Sequence, residues 1–347
     1  MGLAQVDRIT LDYQDAATRD ERLLISLSAV AVAGRYLWTA SDEGRTIECL
    51  EPDGDGYRLR GQYKIDRLFR KLPDADDGGD GRPDEADIES LAVCDGALWI
   101  CASHCKVRKE TEEARQEKQK EGGRFWLEPK FKPRPSRRLL GRVPLKDDGG
   151  GLDDHGDRLP VGGNGSLRSI LHKHPFLRRF VGLPSKENGL DIEGLAVQGK
   201  NRLFLGLRGP VVDSYAVVIE AKLDKRFRLK DGMVTHFLKL DGLGVRDLAT
   251  FGEEILILAG PVAEACAPFR LYLWRPANPK AAEYIQSPDE HPNWPVSVAD
   301  TTTRGGNPEG ICRLDRDRSG LIVLYDSPDQ TLRIAGTRYR ADWMPFA

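Results

Sequence analysis

The sequence predicts an all-β chain folded as a β-propeller, and three observations predict it. Nearly the same phrase occurs three times: DIESLAV from Asp87, DIEGLAV from Asp191 and NPEGIC from Asn307. Each begins a pair of apolar runs separated by a short turn, the pattern of a β-hairpin. Further alternating segments follow, so that a four-stranded unit recurs at intervals of roughly 40 to 50 residues. One such sheet cannot bury both of its faces alone, and repeated sheets do so by packing around a common axis.

The second run of each unit is the firmer anchor. It reads RYLWTAS from Arg35, ALWICAS from Ala97, RLFLGL from Arg202, EILILAG from Glu254 and LIVLYDS from Leu321. Five units follow, with first strands near Ser28, Glu89, Glu193, Arg246 and Glu309. The third continues in YAVVIEAKLD and MVTHFLKL, the fourth in FRLYLWRP and AEYIQS. The last runs short, with LRIAGTRYR and little after Arg340, whereas QVDRITLDY stands ahead of the first unit with no unit of its own. The N-terminal strand is therefore expected to complete the final blade of a five-bladed ring. A degenerate sixth blade between Leu139 and Pro184 stays open. Two connections, DRLFRKLP from Asp66 and SLRSILHKHPFLRRFVGLP from Ser166, space apolar residues three or four apart and end at proline, as short helices do. The whole chain, 1–347, reads as one domain, with a charged insertion at 106–138 in the second blade that reads as a helix and arm.

Composition excludes several classes. With 40% hydrophobic residues the chain can fill a sizeable core, and a net charge of -2 gives no global attraction to nucleic acid or a membrane surface. The first twenty residues contain no continuous apolar segment of the kind a signal peptide needs, and runs such as ILILAG from Ile255 are too short to span a bilayer. A cytoplasmic location is the expectation. The six cysteines form no C-x-x-C pair and read as reduced core residues. No G-x-S-x-G elbow, P-loop or G-x-G-x-x-G fingerprint is present. The aspartate- and glycine-rich runs at 74–87 and 147–157 have only loose calcium-loop spacing, match no full D-x-D-x-D-G loop with its final glutamate, and read as solvated loops.

Aligning the units puts Ser28, Glu89, Glu193, Arg246 and Glu309 at one equivalent position, the start of the innermost strand. Strand periodicity adds Asp87, Asp191 and Asn307 two residues earlier. The second strand returns to the same end, bringing Asp42, His104, Arg208 and Asp326. Symmetry thus gathers polar side chains from distant positions around one axis. Two carboxylates about 6 Å apart cost on the order of 3 kcal/mol at an effective dielectric near 20. Three things can offset that repulsion: a divalent cation, the guanidinium groups of Arg208 and Arg246, or backbone N–H groups. A hard cation with open positions would polarise an ester or phosphate oxygen, arginines would clamp an anion, and backbone capping would only hold the ring closed. His104, in the stretch CASHC, fits no zinc spacing, but on the channel face it would be a candidate general base.

The stretch NGLDIEGLAVQGKNRLFLGLRGP, Asn188 to Pro210, with ADIESLAV and GNPEGIC, resembles the bacterial domain-of-unknown-function family 3616 over most of the chain. The resemblance implies a β-propeller and carries no assigned activity. More distantly the chain is similar to the gluconolactonase and regucalcin propellers and to esterase-like phytase propellers, where an acidic EG at an inner-strand start faces the channel. That likeness implies a divalent cation, calcium, magnesium or manganese, with Glu89, Glu193 and Glu309 as ligands and Asp191 beside them. The chain departs from the pattern: Ser28 and Arg246 hold two of the five positions, and no matching asparagine and aspartate set is found. The leading expectation is recognition of a small anionic ligand or a protein partner at the channel face, through Asp42, Arg208, Arg246 and Asp326. The alternatives are a metal-dependent hydrolase of an ester, lactone or phosphoester, and a scaffold that uses the charged insertion.

Overall fold

The computed structural model of the protein describes residues 7–70, 72, 85–108, 131–132, 134–262, 268–276, 283–286, 289–290, 306–315, 319–328, 331–334 and 336–345. The first sheet is an antiparallel meander of Leu27–Ala33, Tyr36–Ser41, Thr46–Asp53 and Gly56–Lys64. The second contains Ile88–Cys94, Ala97–Ala102 and Leu140–Lys146, edged by the two-residue strands Gly151–Leu152 and Asp157–Arg158. The third runs Asp191–Gln198, Arg202–Val212, Tyr215–Lys222 and Val234–Lys239. Gly244–Phe251, Glu254–Gly260, Arg270–Trp274 and the short Asp289–Glu290 make the fourth. In the fifth, Asn307–Asp315 pairs with Ser319–Asp326, and Ser319–Asp326 with Arg338–Pro345.

The N-terminal strand Asp7–Asp12 lies antiparallel to Arg338–Pro345, with Ile9 opposite Ala341, and supplies the fourth strand of the fifth sheet. Its other edge pairs in parallel with Gly56–Lys64, with Leu11 opposite Tyr57, so the last and first sheets fuse into one nine-stranded sheet. A Cβ at Gly56 would stand 2.3 Å from the Thr10 carbonyl oxygen, and only glycine admits this approach.

The five inner strands pack one against the next, first to second through to fifth and back to first. Five apolar clusters lie between successive sheets. Trp38 and Ile100 meet between the first and second, Trp99 and Leu205 between the second and third, and Phe204 and Ile257 between the third and fourth. Leu258 and Val323 close the next gap, and Ile322 and Leu37 the last. Each sheet is thus buried on both faces. That burial is why the second strands read as near-continuous apolar runs rather than alternating ones. The arrangement is mostly β and propeller-like.

Three expectations change. AEYIQS does not complete the fourth sheet: Glu283–Gln286 runs parallel to Val234–Lys239 and covers the outer edge of the third, where an unpaired strand edge would otherwise be open. The final strand is not short but continues through Arg338–Pro345, because Trp343 and Met344 are core residues. Leu140–Lys146 is the third strand of the second sheet, and 159–190 holds short helical turns. The helix Leu167–Leu171, capped by Ser166, and the turn Ile65–Leu68 both bury leucines against the ring, as their spacing predicts. Of the 106–138 insertion only the base is described, a ribbon pairing Val107–Arg108 with Phe131–Lys132 and a turn at Pro135–Arg138. Its centre at 109–130 lies outside the described residues.

Candidate functional site

One local irregularity builds the site. In every inner hairpin the ladder skips one residue of the first strand, and the skipped residues are Ser28, Glu89, Glu193, Arg246 and Glu309. These are the five positions the repeat alignment makes equivalent. A β-bulge leaves its extra residue unpaired and re-aims its side chain. The next residue is then thrown toward the neighbouring inner strands, where space is short. A Cβ at Gly194 would meet Leu248 Cγ at 2.7 Å, and one at Gly310 would meet the Ser28 carbonyl oxygen at 3.1 Å, which accounts for the glycine of the EG pair.

Where that next residue is polar, it ties the ring together. Asp247 is 1% exposed and accepts three hydrogen bonds, from Ser90 Oγ at 2.7 Å, Ile311 N at 2.8 Å and Leu248 N at 2.8 Å. Ser90 Oγ in turn accepts from Leu195 N at 3.0 Å, and Ser28 Oγ donates to the Ile88 carbonyl at 2.5 Å. This belt links all five inner strands. Sequence comparison passes over Asp247 because it stands one place after the aligned position; VRDLA in the place of IEGLA was the available signal.

Above the belt the charged side chains form an alternating chain. Arg208 Nη2 reaches Asp191 Oδ2 at 2.6 Å and its Nη1 reaches Glu193 Oε1 at 2.8 Å. Arg246 Nε meets Glu193 Oε2 at 3.1 Å, and its Nη2 pairs with Glu309. A second network lies beside it: Arg137 Nη1 contacts Asp87 Oδ2 at 2.9 Å, with Ser103 Oγ donating to the same carboxylate, while Arg137 Nη2 pairs with Glu85, which also meets Arg134 Nη1 at 3.1 Å. Arg137, in the tail of the insertion, was invisible to repeat alignment.

Eight carboxyl groups, Asp42, Glu85, Asp87, Glu89, Asp191, Glu193, Glu309 and Asp326, meet the guanidinium groups of Arg134, Arg137, Arg208 and Arg246 here. Asp42, Glu89 and Asp326 have no ion pair among the described residues. Burial pushes the Asp42 carboxyl well above its usual range, helped by Asp87 and Asp326. Burial does the same to Glu89, which also faces Asp87, Glu193 and Asp42. Asp326 is raised by burial, against hydrogen bonds from Ser327. Even Glu193, with two arginines, is pushed by burial up to about 7. Glu89, Asp191 and Glu193 converge with one ligand oxygen each inside a 4.8 Å cluster. Asp191 keeps Oδ1 buried and without a hydrogen-bond partner while Oδ2 is on Arg208. Glu309, expected with them, is taken up by Arg246 and stands outside this trio.

His104 is not on the channel face. At φ 54° the backbone turns at this residue, so Ser103 and Cys105 point at Asp87 while the imidazole goes the other way, 3.3 Å from the Leu139 carbonyl. Burial and then Arg168 hold it down to about 3, a neutral buried ring remote from the carboxylates. Nor do Glu193 and Glu309 cap the backbone among the described residues; they take arginines, and Asp247 takes the N–H groups.

A family model described as "Protein of unknown function (DUF3616)" matches residues 26–342. The chain belongs to the DUF3616 family. In DUF3616 terms the match runs from the first inner strand to the last outer one, so bulges, belt and charged chain all lie inside it. No curated protein matches this DUF3616 chain in sequence. Among solved structures it is similar to the glutaminyl cyclase of Myxococcus xanthus, with 9% identity, TM-score 0.43 and 100% of both chains covered. It is also similar to the PQQ-bound aldose sugar dehydrogenase of Streptomyces coelicolor, with 11% identity, TM-score 0.39 and 99% of both chains covered. A third is the xylan β-1,4-xylosidase of Bacillus halodurans C-125, with 11% identity and TM-score 0.46, covering 92% of this chain and 53% of that one.

Proposed function

We propose that the channel mouth of this five-bladed ring binds a hard divalent cation, of the calcium, magnesium or manganese class, between Glu89, Asp191 and Glu193. The observation that carries the reading is the convergence of these three carboxylates with one buried Asp191 oxygen left without a partner. Oxygen donors at 2.3–2.6 Å from a calcium-sized ion are themselves spaced as such a trio is. The formal excess of carboxylates at this face makes it a poor place for an anion. Arg208 and Arg246, expected as an anion clamp, are already neutralised by Asp191, Glu193 and Glu309. Three protein ligands leave coordination positions open, so the bound ion would present a Lewis-acidic face to an ester, lactone or phosphoester oxygen. Five as the blade count rests on the cycle of five inner strands and the five interlayer clusters.

Elemental analysis of the purified protein beside Glu89→Gln, with melting temperature recorded under added calcium, magnesium, manganese and zinc, tests it. Glu89 is the informative position because it is the one member of the trio without a direct arginine ion pair among the described residues. Saturation at about 100 times Kd stabilises by about 2.7 kcal/mol. With an unfolding entropy of roughly 0.7 kcal/mol/K for a chain of this length, that is a rise of roughly 4 °C. The rise should vanish in Glu89→Gln. Absence of any shift in the wild-type protein, with no stoichiometric metal, overturns the reading.

A further inference from the structure

A cavity of about 400 Å³ is lined by five basic side chains, Lys106, Arg138, Arg168, His172 and Lys173, and by the glycine-rich turn leading into Ser166. No carboxylate is among its lining residues. That is unusual in a chain whose 52 basic and 54 acidic residues nearly balance. Three of them are held in place by backbone carbonyls. Arg168 donates to the carbonyls of His104 and Val181, the latter at 2.5 Å; Arg138 Nη1 lies 3.4 Å from the Val161 carbonyl, and Lys106 Nζ 3.4 Å from that of Gly182. A carbonyl dipole orients a cation without cancelling its charge. The positive charge therefore persists, and it is felt: burial and then Arg138 bring Arg168 down to about 10. Burial, with Arg168 beside them, lowers Lys106 and His172 as well.

We propose that this pocket binds a phosphate-class oxyanion, the phosphate group of a small molecule. A monocarboxylate brings one charge, whereas a phosphomonoester carries about -1.5 to -2 at neutral pH with three strong acceptor oxygens, a better match to several basic side chains that line one pocket from separate segments. An adjoining groove of about 880 Å³ shares Asn164 and Lys173 with the pocket and is lined in part by Ile170, Leu229 and Met233. It would take the rest of the molecule. The pocket shares no side chain with the carboxylate cluster, and its role does not rest on the cation reading.

Inorganic phosphate is the probe. Titration of the whole protein at constant ionic strength, followed by phosphorus-31 line broadening, should give saturable binding that sulfate competes for and acetate does not. Lys106→Gln combined with Lys173→Gln should weaken phosphate about a hundredfold, about tenfold for each charge-assisted contact removed. Glu89→Gln should leave it unchanged. Phosphate stabilises proteins generally by exclusion from their surface, so binding and the difference between variants are read rather than melting temperature alone. The proposal is overturned by non-saturable broadening, by equal affinity in the double variant, by acetate competing as well as sulfate, or by loss of binding in Glu89→Gln.

Discussion

Replacing Asp247 by alanine should unfasten three inner strands at once. The carboxylate is fully enclosed and satisfies two backbone N–H groups, Leu248 and Ile311, and the Ser90 hydroxyl. Burial pushes its pKa well up and the three donors act against that, so this is a charge or proton held by the ring itself. Alanine leaves two backbone donors buried without acceptors, each costing about 1–3 kcal/mol, while the Ser90 hydroxyl can rotate. The expected loss is roughly 2–6 kcal/mol. At roughly 2.1 cal/mol/K of unfolding entropy per residue, the middle of that range lowers the melting temperature by roughly 5 °C. Asparagine should fall between: its carbonyl oxygen can keep Ser90 and Leu248, but its amide would face the Ile311 N–H donor to donor. Urea denaturation and scanning calorimetry at pH 7 give the order wild type, Asn, Ala. An alanine variant within about 0.5 kcal/mol of wild type, the range of an ordinary surface substitution, would refute the belt as a fastening device.

Two further outcomes follow from buried charge. Glu48 is fully buried in the first sheet, with Oε1 accepting from Gln62 Nε2 at 3.1 Å and Oε2 unpartnered, and burial pushes its pKa up to about 7. A carboxyl raised in this way binds its proton more tightly folded than unfolded, so its contribution is complete below about pH 4.5 and is lost as pH rises through about 7. Glu48→Gln should therefore match wild type near pH 4.5 and exceed it by roughly 3 kcal/mol at pH 8.5, read from melting curves across that interval; a constant difference at both ends would contradict it. Arg208→Met strips the shared cation from Asp191 and Glu193 and should cost roughly 3–5 kcal/mol in urea denaturation at pH 7, because both carboxylates stay buried without it. A neutral result would mean that protons already fill that role.

The strand pairs, their equivalence and the N-terminal closure were legible because they are local. Alternation, turn residues and the repeated DIE phrase each report on a few neighbouring positions, and the five aligned residues turn out to be the five bulges. What was not legible depends on contacts between units. Glu283–Gln286 joins the third sheet rather than the fourth because a free edge elsewhere in the ring competes for it, and nothing in EYIQ says so. His104 was misplaced because simple alternation was carried through a residue with positive φ, where the strand has already ended. Asp247 and Arg137 were missed for a related reason. One acts a step out of register behind a bulge, and the other arrives from an insertion that has no counterpart in the other units.

The ring order explains why the site is lopsided. Going round, the bulge positions read Ser28, Glu89, Glu193, Arg246, Glu309, so charge alternates only through the third, fourth and fifth sheets. Four glutamates in place of that arrangement would set like charges side by side at on the order of 3 kcal/mol per close pair. Arg246 removes two such encounters, and Arg208 adds a second cation on the same side. The arginines thus hold one half of the mouth together through ion pairs. In the other half, Glu89 and Asp42 face each other with Asp326 near Asp42, all without a direct arginine ion pair among the described residues, although Arg208 and Arg246 act on Glu89 and Asp326 from further away. Charge left over in one sector of a closed ring cannot be relieved by moving the strands apart, because the belt around Asp247 and the apolar clusters between sheets fix their separation. What the distant arginines leave uncompensated can be relieved by protons or by a bound cation, and titrating the protein with calcium at a pH where Glu89 would otherwise hold its proton should release that proton into solution.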